Sequence, residues 1–176
     1  MHGHAAAGSW LRPAASAHHE AAGQLLHIRS ATTSDTTPVE ELHARCSPRS
    51  LYQRYLAPIP RLSARTLQQL LDPCSTSTLL AQNPQGDTVA MATLARSTGD
   101  DEAHLAVLVE DTWQHRGLGT ALTGRLVHQA RTQGLRALHA DVLAGNRPML
   151  NILRANGAVA HTIEYGTTSL TLRLTP

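Results

Sequence analysis

Apolar residues recur along the chain with two different spacings, and the changes of spacing divide it into strands and helices. Short apolar or alternating runs bounded by turn residues predict strands at residues 24–29, 78–82, 87–96, 103–109, 137–143, 159–164 and 169–174. Apolar residues three and four positions apart predict helices at residues 38–45, 49–56, 64–71, 117–133 and 147–156. Strands and helices in this order favour a single α/β domain, with one mixed, twisted sheet of about seven strands flanked by helices.

Residues suited to helix starts stand before most of these helices. Asp35 or Thr37 precedes the first helix, Ser47 the second, Ser63 the third and Asn146 the last. Their side-chain oxygens can accept hydrogen bonds from the backbone N–H groups that lack partners in a first helical turn. We therefore expect these helices to begin close to the predicted positions.

The chain length of 176 residues predicts one folded unit, at residues 23–176, preceded by a leader at residues 1–22. The leader is rich in Ala, Gly and Ser, so we expect a flexible extension, partly helical near residues 14–22. Its histidines lack the spacing of zinc ligands, and no metal site is predicted. Because the chain contains no Phe, its core must consist mainly of Leu, Val, Ala and Ile.

Charge and cysteine content narrow the function classes. A net charge of +2 is too small to indicate binding to nucleic acid or to an anionic membrane. No apolar run approaches the roughly 18 residues of a membrane span, and the N-terminus lacks the apolar stretch of a secretory signal. Cys46 and Cys74 are far apart in sequence, which favours two reduced thiols and a cytoplasmic location over a disulfide.

A glycine-containing turn joins the predicted strand 103–109 to the predicted helix 117–133, and it reads Gln-His-Arg-Gly-Leu-Gly at residues 114–119. The first N–H groups of a helix lack partners there, and the helix dipole adds positive charge, so a phosphate binds well. Gly117 and Gly119 have no Cβ atoms to keep a phosphate away from the backbone. The segment matches neither the Rossmann nor the P-loop fingerprint, since residue 122 is Leu and the lysine is missing.

The stretch 109–122 resembles motif A of the GCN5-related N-acetyltransferases (GNAT), whose loop holds the pyrophosphate of acetyl-CoA. A second stretch, 146–158, resembles motif B of the same family and follows in the same order. The resemblance extends over about residues 27–174 and implies acetyl-CoA as co-substrate. It implies that the cofactor is held by Val107, Leu108, Val109, Gln114, His115, Arg116, Gly117, Leu118, Gly119, Thr120 and Asn146.

Acetyl transfer to an amine needs a base, because an alkyl ammonium is only about 0.1% neutral at pH 7. In similar protein acetyltransferases this base is a glutamate ten residues before the motif A glutamine, and here that position is His104. An unperturbed imidazole, with a pKa of about 6.5, suits the task, although His104 is also explained as a packing residue. Glu102 is the reserve base. Leu153 replaces the tyrosine that often protonates the leaving thiolate, so that proton must come from water or another group.

Two resemblances bear on the acceptor. The segment 47–55 resembles part of bacterial protein-lysine acetyltransferase domains, and the general layout is similar to kasugamycin-type aminoglycoside 2′-N-acetyltransferases. Tyr52, Arg54 and Tyr55 of that segment are equally explained as an amphipathic helix whose arginine reaches solvent. Carboxylates near the expected cleft would attract a cationic sugar, or form only a solvated surface. They are Asp35, Glu40, Glu41, Asp100, Asp101 and Glu102.

The sequence thus predicts an acetyl-CoA-dependent N-acetyltransferase. Its expected acceptor is a primary amine of a small aminoglycoside-type antibiotic, which would attack the thioester directly and leave the host resistant. A protein-lysine acetyltransferase is the second hypothesis, and a degenerate acetyl-CoA sensor without activity is the third. The expected partners are a small-molecule amine and a second copy in a homodimer, with no nucleic acid and no membrane.

Overall fold

A computed structural model describes residues 10–21, 23–97 and 101–174, and shows one α/β domain built on a mixed sheet. The strands are β1 (Ala17–Ala21), β2 (Gln24–Ser30), β3 (Thr76–Gln82), β4 (Thr88–Arg96), β5 (Glu102–Val109), β6 (Ala137–Leu143), β7 (Val159–Glu164) and β8 (Thr167–Arg173). The helices are α1 (Thr36–Arg45), α2 (Pro48–Tyr55), α3 (Ala64–Leu71), α4 (Leu118–Thr132) and α5 (Arg147–Ala155), with a 3₁₀ turn at Asp111–Trp113. Every predicted strand and helix is present, with ends displaced by one or two residues.

The eight strands lie in the order β1-β2-β3-β4-β5-β6-β8-β7. All neighbouring strands are antiparallel except β5 and β6, which run parallel. Their pairing covers only residues 102–104 against 137–139 and ends at His104 and His139. Beyond that pair the two strands separate, so the middle of the sheet contains a gap that opens toward the C-terminal ends of β5 and β6.

Apolar clusters cover both faces of the sheet. Helices α4 and α5 pack on one face, where Leu118, Leu122 and Leu126 are fully buried. Helices α1, α2 and α3 pack on the other face around Leu80 and Met91. Residues predicted to face inward are buried there: Val39, Leu42, His43, Leu67, Leu70 and Leu71. The core is made of Leu, Val, Ala and Ile with Met91, as expected of a chain without Phe.

The prediction of a partly helical segment near residues 14–22 is wrong. Residues 17–21 form β1, which pairs antiparallel with β2 through a turn at Gly23, whose φ is +71°. The open edge of β2 offers backbone partners that an Ala-rich helix could not use, so pairing outweighs local propensity. Leu11 is also buried in the core. Residues 1–9 and 22 lie outside the described part, and the domain boundary at residue 23 stays a prediction.

Helix starts follow the predicted capping at three of four positions. The side chains of Ser47, Ser63 and Asn146 accept hydrogen bonds from the N–H groups of residues 50, 66 and 149. Asp35 precedes α1, but its side chain does not cap that helix. The carboxylate of Asp35 instead accepts hydrogen bonds from Arg29 at 2.6 and 2.9 Å and from the Thr32 N–H at 2.7 Å.

The Asp35–Arg29 pair should make stability depend on pH. The hydrogen bond from Arg29 is the largest cause that lowers the pKa of Asp35, from 3.8 to about 2. A carboxyl whose pKa is lower in the folded than in the unfolded chain stabilises the fold above its unfolded pKa, and this stabilisation is lost as pH falls toward 2. We expect Asp35→Asn to lower the free energy of unfolding at pH 7 by roughly 2 kcal/mol, as measured by urea denaturation.

The exposed Glu40 on α1 provides the matched control, because Glu40→Gln removes the same charge without a buried partner. Its free energy of unfolding should stay within about 0.5 kcal/mol of the parent. The difference between Asp35→Asn and the parent should also shrink as the buffer is taken from pH 5 to pH 2. A loss of stability in Asp35→Asn that is the same at both pH values would contradict the linkage.

Candidate active site

A cleft of about 490 Å³ passes through the gap between β5 and β6. At one end it is lined by Gly117, Gly119 and Thr120 at the start of α4. Its walls are formed by residues 106–109 of β5 and by Asp141 and Val142 of β6, with residues of α5 alongside. At the other end it is lined by α2. The gap therefore connects two faces of the sheet, which lets two ligands approach one reacting point from opposite sides.

The edge of β5 that faces the gap has backbone groups available for a ligand. Glu110 donates its N–H to Val89 across the β4 ladder, and N–H groups of an antiparallel strand alternate in direction. The peptide groups of Val107 and Val109 therefore point away from β4, toward the gap. Because β6 has already separated there, the Val107 groups have no strand partner in the described part of the chain. An extended ligand with amide groups can pair with this edge as an added strand.

The start of α4 presents a second set of free backbone donors. Gly117 stands before the helix with φ of +79°, a conformation that L residues rarely adopt, and no described side chain caps the helix. The N–H groups of Leu118, Gly119 and Thr120 therefore lack intrahelical partners. With the helix dipole, they make a site for a pyrophosphate at the mouth of the cleft. His115 is also left-handed, with φ of +58°, which tightens the turn.

Gln114, the first residue of the turn at residues 114–119, holds that turn in place, because its side-chain N–H groups already donate to protein atoms. The Gln114 amide donates hydrogen bonds to the Val109 carbonyl at 3.0 Å and to the Ser50 hydroxyl at 2.9 Å. Asp111 accepts from the Ser47 N–H and from both serine hydroxyls, at 2.7–2.9 Å. Burial alone would raise the pKa of Asp111, but the hydrogen bonds from Ser47 and Ser50 outweigh it and lower the pKa. Helix α2 is thereby fixed against the end of β5.

Histidines stand where the β5–β6 pairing ends. His104 is exposed and has no hydrogen-bond partner among the described residues, and its ring centroid lies 5.5 Å from that of His139. His139 hydrogen-bonds through Nε2 to Glu102 at 2.9 Å and through Nδ1 to the Thr171 hydroxyl at 3.1 Å. The two neighbouring strands therefore place two imidazoles where the gap begins. The His139 ring is hydrogen-bonded through both nitrogens, and the His104 ring is not hydrogen-bonded to any described residue.

A model of the GNAT acetyltransferase family matches residues 36–158, which include the cleft and both of the stretches 109–122 and 146–158. The chain belongs to this family. An acetyltransferase of Pseudomonas aeruginosa is 26% identical over 157 residues, which are 86% of this chain and 84% of that protein. The GNAT domain of S. lividans PAT superposes with a TM-score of 0.78 at 27% identity, covering 94% of this chain and 97% of that one.

Solved structures with their cofactor share the fold. The structure of the acetyltransferase yncA from Salmonella typhimurium with its cofactor acetyl-CoA superposes with a TM-score of 0.66 at 19% identity, covering 85% of this chain and 94% of that one. Acetyl-CoA is the co-substrate of this GNAT protein, and its own residues fit that molecule. The free edge at Val107 suits the amides of the pantetheine arm, and the α4 start suits the pyrophosphate. When bound, acetyl-CoA supplies the thioester that an amine attacks.

The predicted cofactor residues of this GNAT domain come together around one cleft, as the motifs require. The cleft is lined by Val107, Leu108, Val109, Gln114, His115, Gly117, Gly119, Thr120 and Asn146. Leu118 instead is buried, and the Arg116 guanidinium lies 5.5 Å from the Trp113 ring centroid. The Asn146 side chain caps α5, while its backbone N–H donates to Leu143 and its carbonyl accepts from Leu150. Their contacts with acetyl-CoA stay predictions.

Sequence reasoning missed two residues of this site. His139 became a neighbour of His104 only through the short parallel ladder, and no motif marks it. Asp141 lies two positions further on β6, lines the cleft and accepts a hydrogen bond from Ser169 at 2.6 Å. Leu153, at the position where similar enzymes often carry tyrosine, is buried, with 2% of its surface exposed.

Proposed function

We propose that this GNAT protein transfers the acetyl group of acetyl-CoA to a primary amine of a small acceptor by direct attack on the thioester. The cleft through the β5–β6 gap is the main support for this proposal. Backbone N–H groups suited to the cofactor line one end of the cleft, and an open polar face lies at the other end. The acceptor we propose is an aminoglycoside-type antibiotic of the kasugamycin kind, and its acetylation would make the host resistant. None of the described helices is long and apolar enough to cross a membrane.

His104 is proposed as the general base. It lies at the last position where β5 pairs with β6, just before the gap opens. It is exposed and has no hydrogen-bond partner among the described residues, so its ring can accept a proton from an incoming amine. Glu102, the reserve base, is held by His139 at 2.9 Å and is the less available group. The thiol of coenzyme A has an ordinary pKa near 8.5, so the thiolate is an acceptable leaving group when backbone N–H groups or water stabilise it.

The carboxylates predicted to attract a cationic sugar are partly engaged elsewhere. Asp35 pairs with Arg29, and Asp101 pairs with Arg136. Asp100 lies outside the described residues. Glu102 and Asp141 remain on the acceptor face, and Glu40 and Glu41 are exposed on α1. Attraction of a polycation by this face would therefore rest mainly on Glu102 and Asp141.

An assay of thiol release from acetyl-CoA tests the acceptor. The panel contains kasugamycin, 2-deoxystreptamine aminoglycosides and a lysine-bearing protein. We expect kasugamycin to be acetylated, with mass spectrometry showing one added acetyl group, and a sensitive bacterium expressing the protein to tolerate more drug. Electrostatic steering also predicts that kcat/KM falls with added salt, because charges are screened beyond about 8 Å at physiological ionic strength.

Protein-lysine acetylation is the second candidate. It is supported by the resemblance of residues 47–55 to protein-lysine acetyltransferase domains and by the similarity to the GNAT domain of S. lividans PAT. Acetylation of the lysine-bearing protein with no aminoglycoside modified would favour this candidate. Binding of acetyl-CoA without acetylation of any amine would favour the third hypothesis, a sensor. A homodimer and a cytoplasmic location stay predictions.

A further inference from the structure

The guanidinium of Arg54 lies in the wall of the cleft on the acceptor side. Arg54 follows Ser50 by one turn of α2, and both side chains line the cleft. The Arg54 Nη2 donates a hydrogen bond to the Thr93 hydroxyl at 2.9 Å, and its Nε is hidden from solvent without a partner among the described residues. Its position corrects the interpretation of this arginine as a side chain that reaches solvent from an amphipathic helix.

No carboxylate neutralises this guanidinium within the described part of the chain. The acids that line the same cleft are engaged elsewhere, since Asp111 accepts from Ser47 and Ser50, and Asp141 accepts from the Ser169 hydroxyl. Burial lowers the pKa of Arg54, and among the described residues a charge interaction with Tyr55 alone opposes this shift. Tyr55 is neutral at pH 7, because burial raises the pKa of its hydroxyl. A half-buried cation without an anion is costly unless a ligand supplies one.

The surroundings of Arg54 hold it in one orientation. The Tyr55 ring lies 4.7 Å from the guanidinium carbon. The Tyr55 hydroxyl donates to the His43 Nε2 at 2.6 Å, and the His43 Nδ1 donates to the Val39 carbonyl at 2.7 Å. Burial lowers the pKa of His43, which favours the neutral ring that this arrangement requires. A guanidinium fixed in this way loses little further freedom when it binds a ligand.

Strand register relates Arg54 to the proposed base. Its partner Thr93 is paired with Ala106 of β5, and His104 lies two residues earlier on the same face of the sheet. Two residues of a strand span about 7 Å. Arg54 and His104 therefore face the same side of the sheet about two strand positions apart, a placement that suits a short molecule with a carboxylate at one end and an amine at the other.

We propose that Arg54 binds a carboxylate of the acceptor, so that the acceptor is an amine that also carries a carboxylate. Guanidinium and carboxylate groups match in shape and pair through two parallel hydrogen bonds. The inference rests on the proposed N-acetyl transfer and narrows its substrate class. Amines that are only cationic, including most aminoglycosides, would then be poor acceptors, whereas kasugamycin contains a carboxylate and stays a candidate.

Matched acceptors test the proposal. The probes are kasugamycin and its methyl ester, and a set of L-amino acids with the corresponding amino-acid amides. We expect the parent enzyme to favour the carboxylate member of a pair at least about tenfold in kcat/KM. Arg54→Gln should remove this preference by raising KM for the carboxylate member roughly 100-fold, while the affinity for acetyl-CoA in calorimetry stays unchanged. Arg54→Lys should restore part of the preference.

Controls separate a binding role from a structural one. Arg65→Gln removes an exposed arginine of α3 that lies outside the cleft, and should leave the preference unchanged. If Arg54→Gln fails to fold by circular dichroism, Thr93→Val replaces it, since it frees the guanidinium and should raise KM several-fold for the carboxylate members alone.

Two results would overturn the assignment of Arg54. One is an equal effect of Arg54→Gln on both members of each pair, and the other is weakened binding of acetyl-CoA in that variant. Acetylation of amines by the parent enzyme without preference for a carboxylate would also refute it, while N-acetyl transfer itself would stand. Acetylation of no amine at all would instead refute the proposed function.

Discussion

Binding of acetyl-CoA is expected to be lost when Gly119 is replaced by glutamate. Gly119 lines the cleft in the first turn of α4, and a Cβ added there would lie 3.5 Å from the Ile152 Cδ1, which is ordinary contact. The backbone therefore accepts a side chain, but the carboxylate would occupy the N–H groups that a pyrophosphate needs and would repel its charge. Calorimetric titration should show Kd raised at least about 100-fold, or roughly 3 kcal/mol.

The fold should survive this change, because a carboxylate in the first turn of a helix is favourable for the helix itself. Circular dichroism should therefore match the parent. Gly124→Glu is the control, since it adds the same charge to the exposed side of α4 with no atom within 4 Å of the new Cβ. Gly117→Glu should also abolish binding, but its φ of +79° adds strain, so its fold must be checked first. Unchanged affinity in both cleft variants would exclude the α4 start as the pyrophosphate site.

The elements that carry the site could be predicted from sequence because they are locally coded. Residues 114–119 combine a turn, glycines and a helix start within one short segment. Asn146 likewise marks the start of α5, because asparagine is a favoured helix-capping residue. Apolar spacing then fixes which faces of α1 and α3 are buried. Strand β1 was missed for the opposite reason, since its residues become a strand only by pairing with the edge of β2.

Long-range register explains what sequence reasoning could not supply at the site. Glu102, His104 and His139 meet because β5 and β6 pair over only three residues and then separate. The 29 residues between the end of β5 at Val109 and His139, of which α4 forms the largest part, contain no local signal of that register. The position of Arg54 also depends on long-range packing. Its helix is amphipathic in sequence, and only the packing of α2 against β4 and β5 turns the guanidinium into the cleft.

The turnover number kcat is expected to fall strongly when His104 is replaced. His104→Ala should lower kcat by roughly 10²–10⁴, the usual contribution of one general base, with little change in the affinity for acetyl-CoA. The measurement is steady-state thiol release with the best acceptor of the panel, beside calorimetry with acetyl-CoA. His128→Ala removes an exposed histidine of α4 outside the cleft and should leave kcat within a few-fold of the parent.

The neighbours of His104 make this prediction specific. Both ring nitrogens of His139 have partners, Glu102 and Thr171, whereas the ring of His104 has none among the described residues. Glu102→Gln should therefore reduce kcat far less than His104→Ala, because it alters only the group that orients His139. Imidazole added to His104→Ala should restore part of the rate, since the missing ring is exposed and a free imidazole can reach its place. If His104→Ala keeps kcat within a few-fold while Glu102→Gln loses most of it, the base is Glu102, and His104 serves to pack against His139.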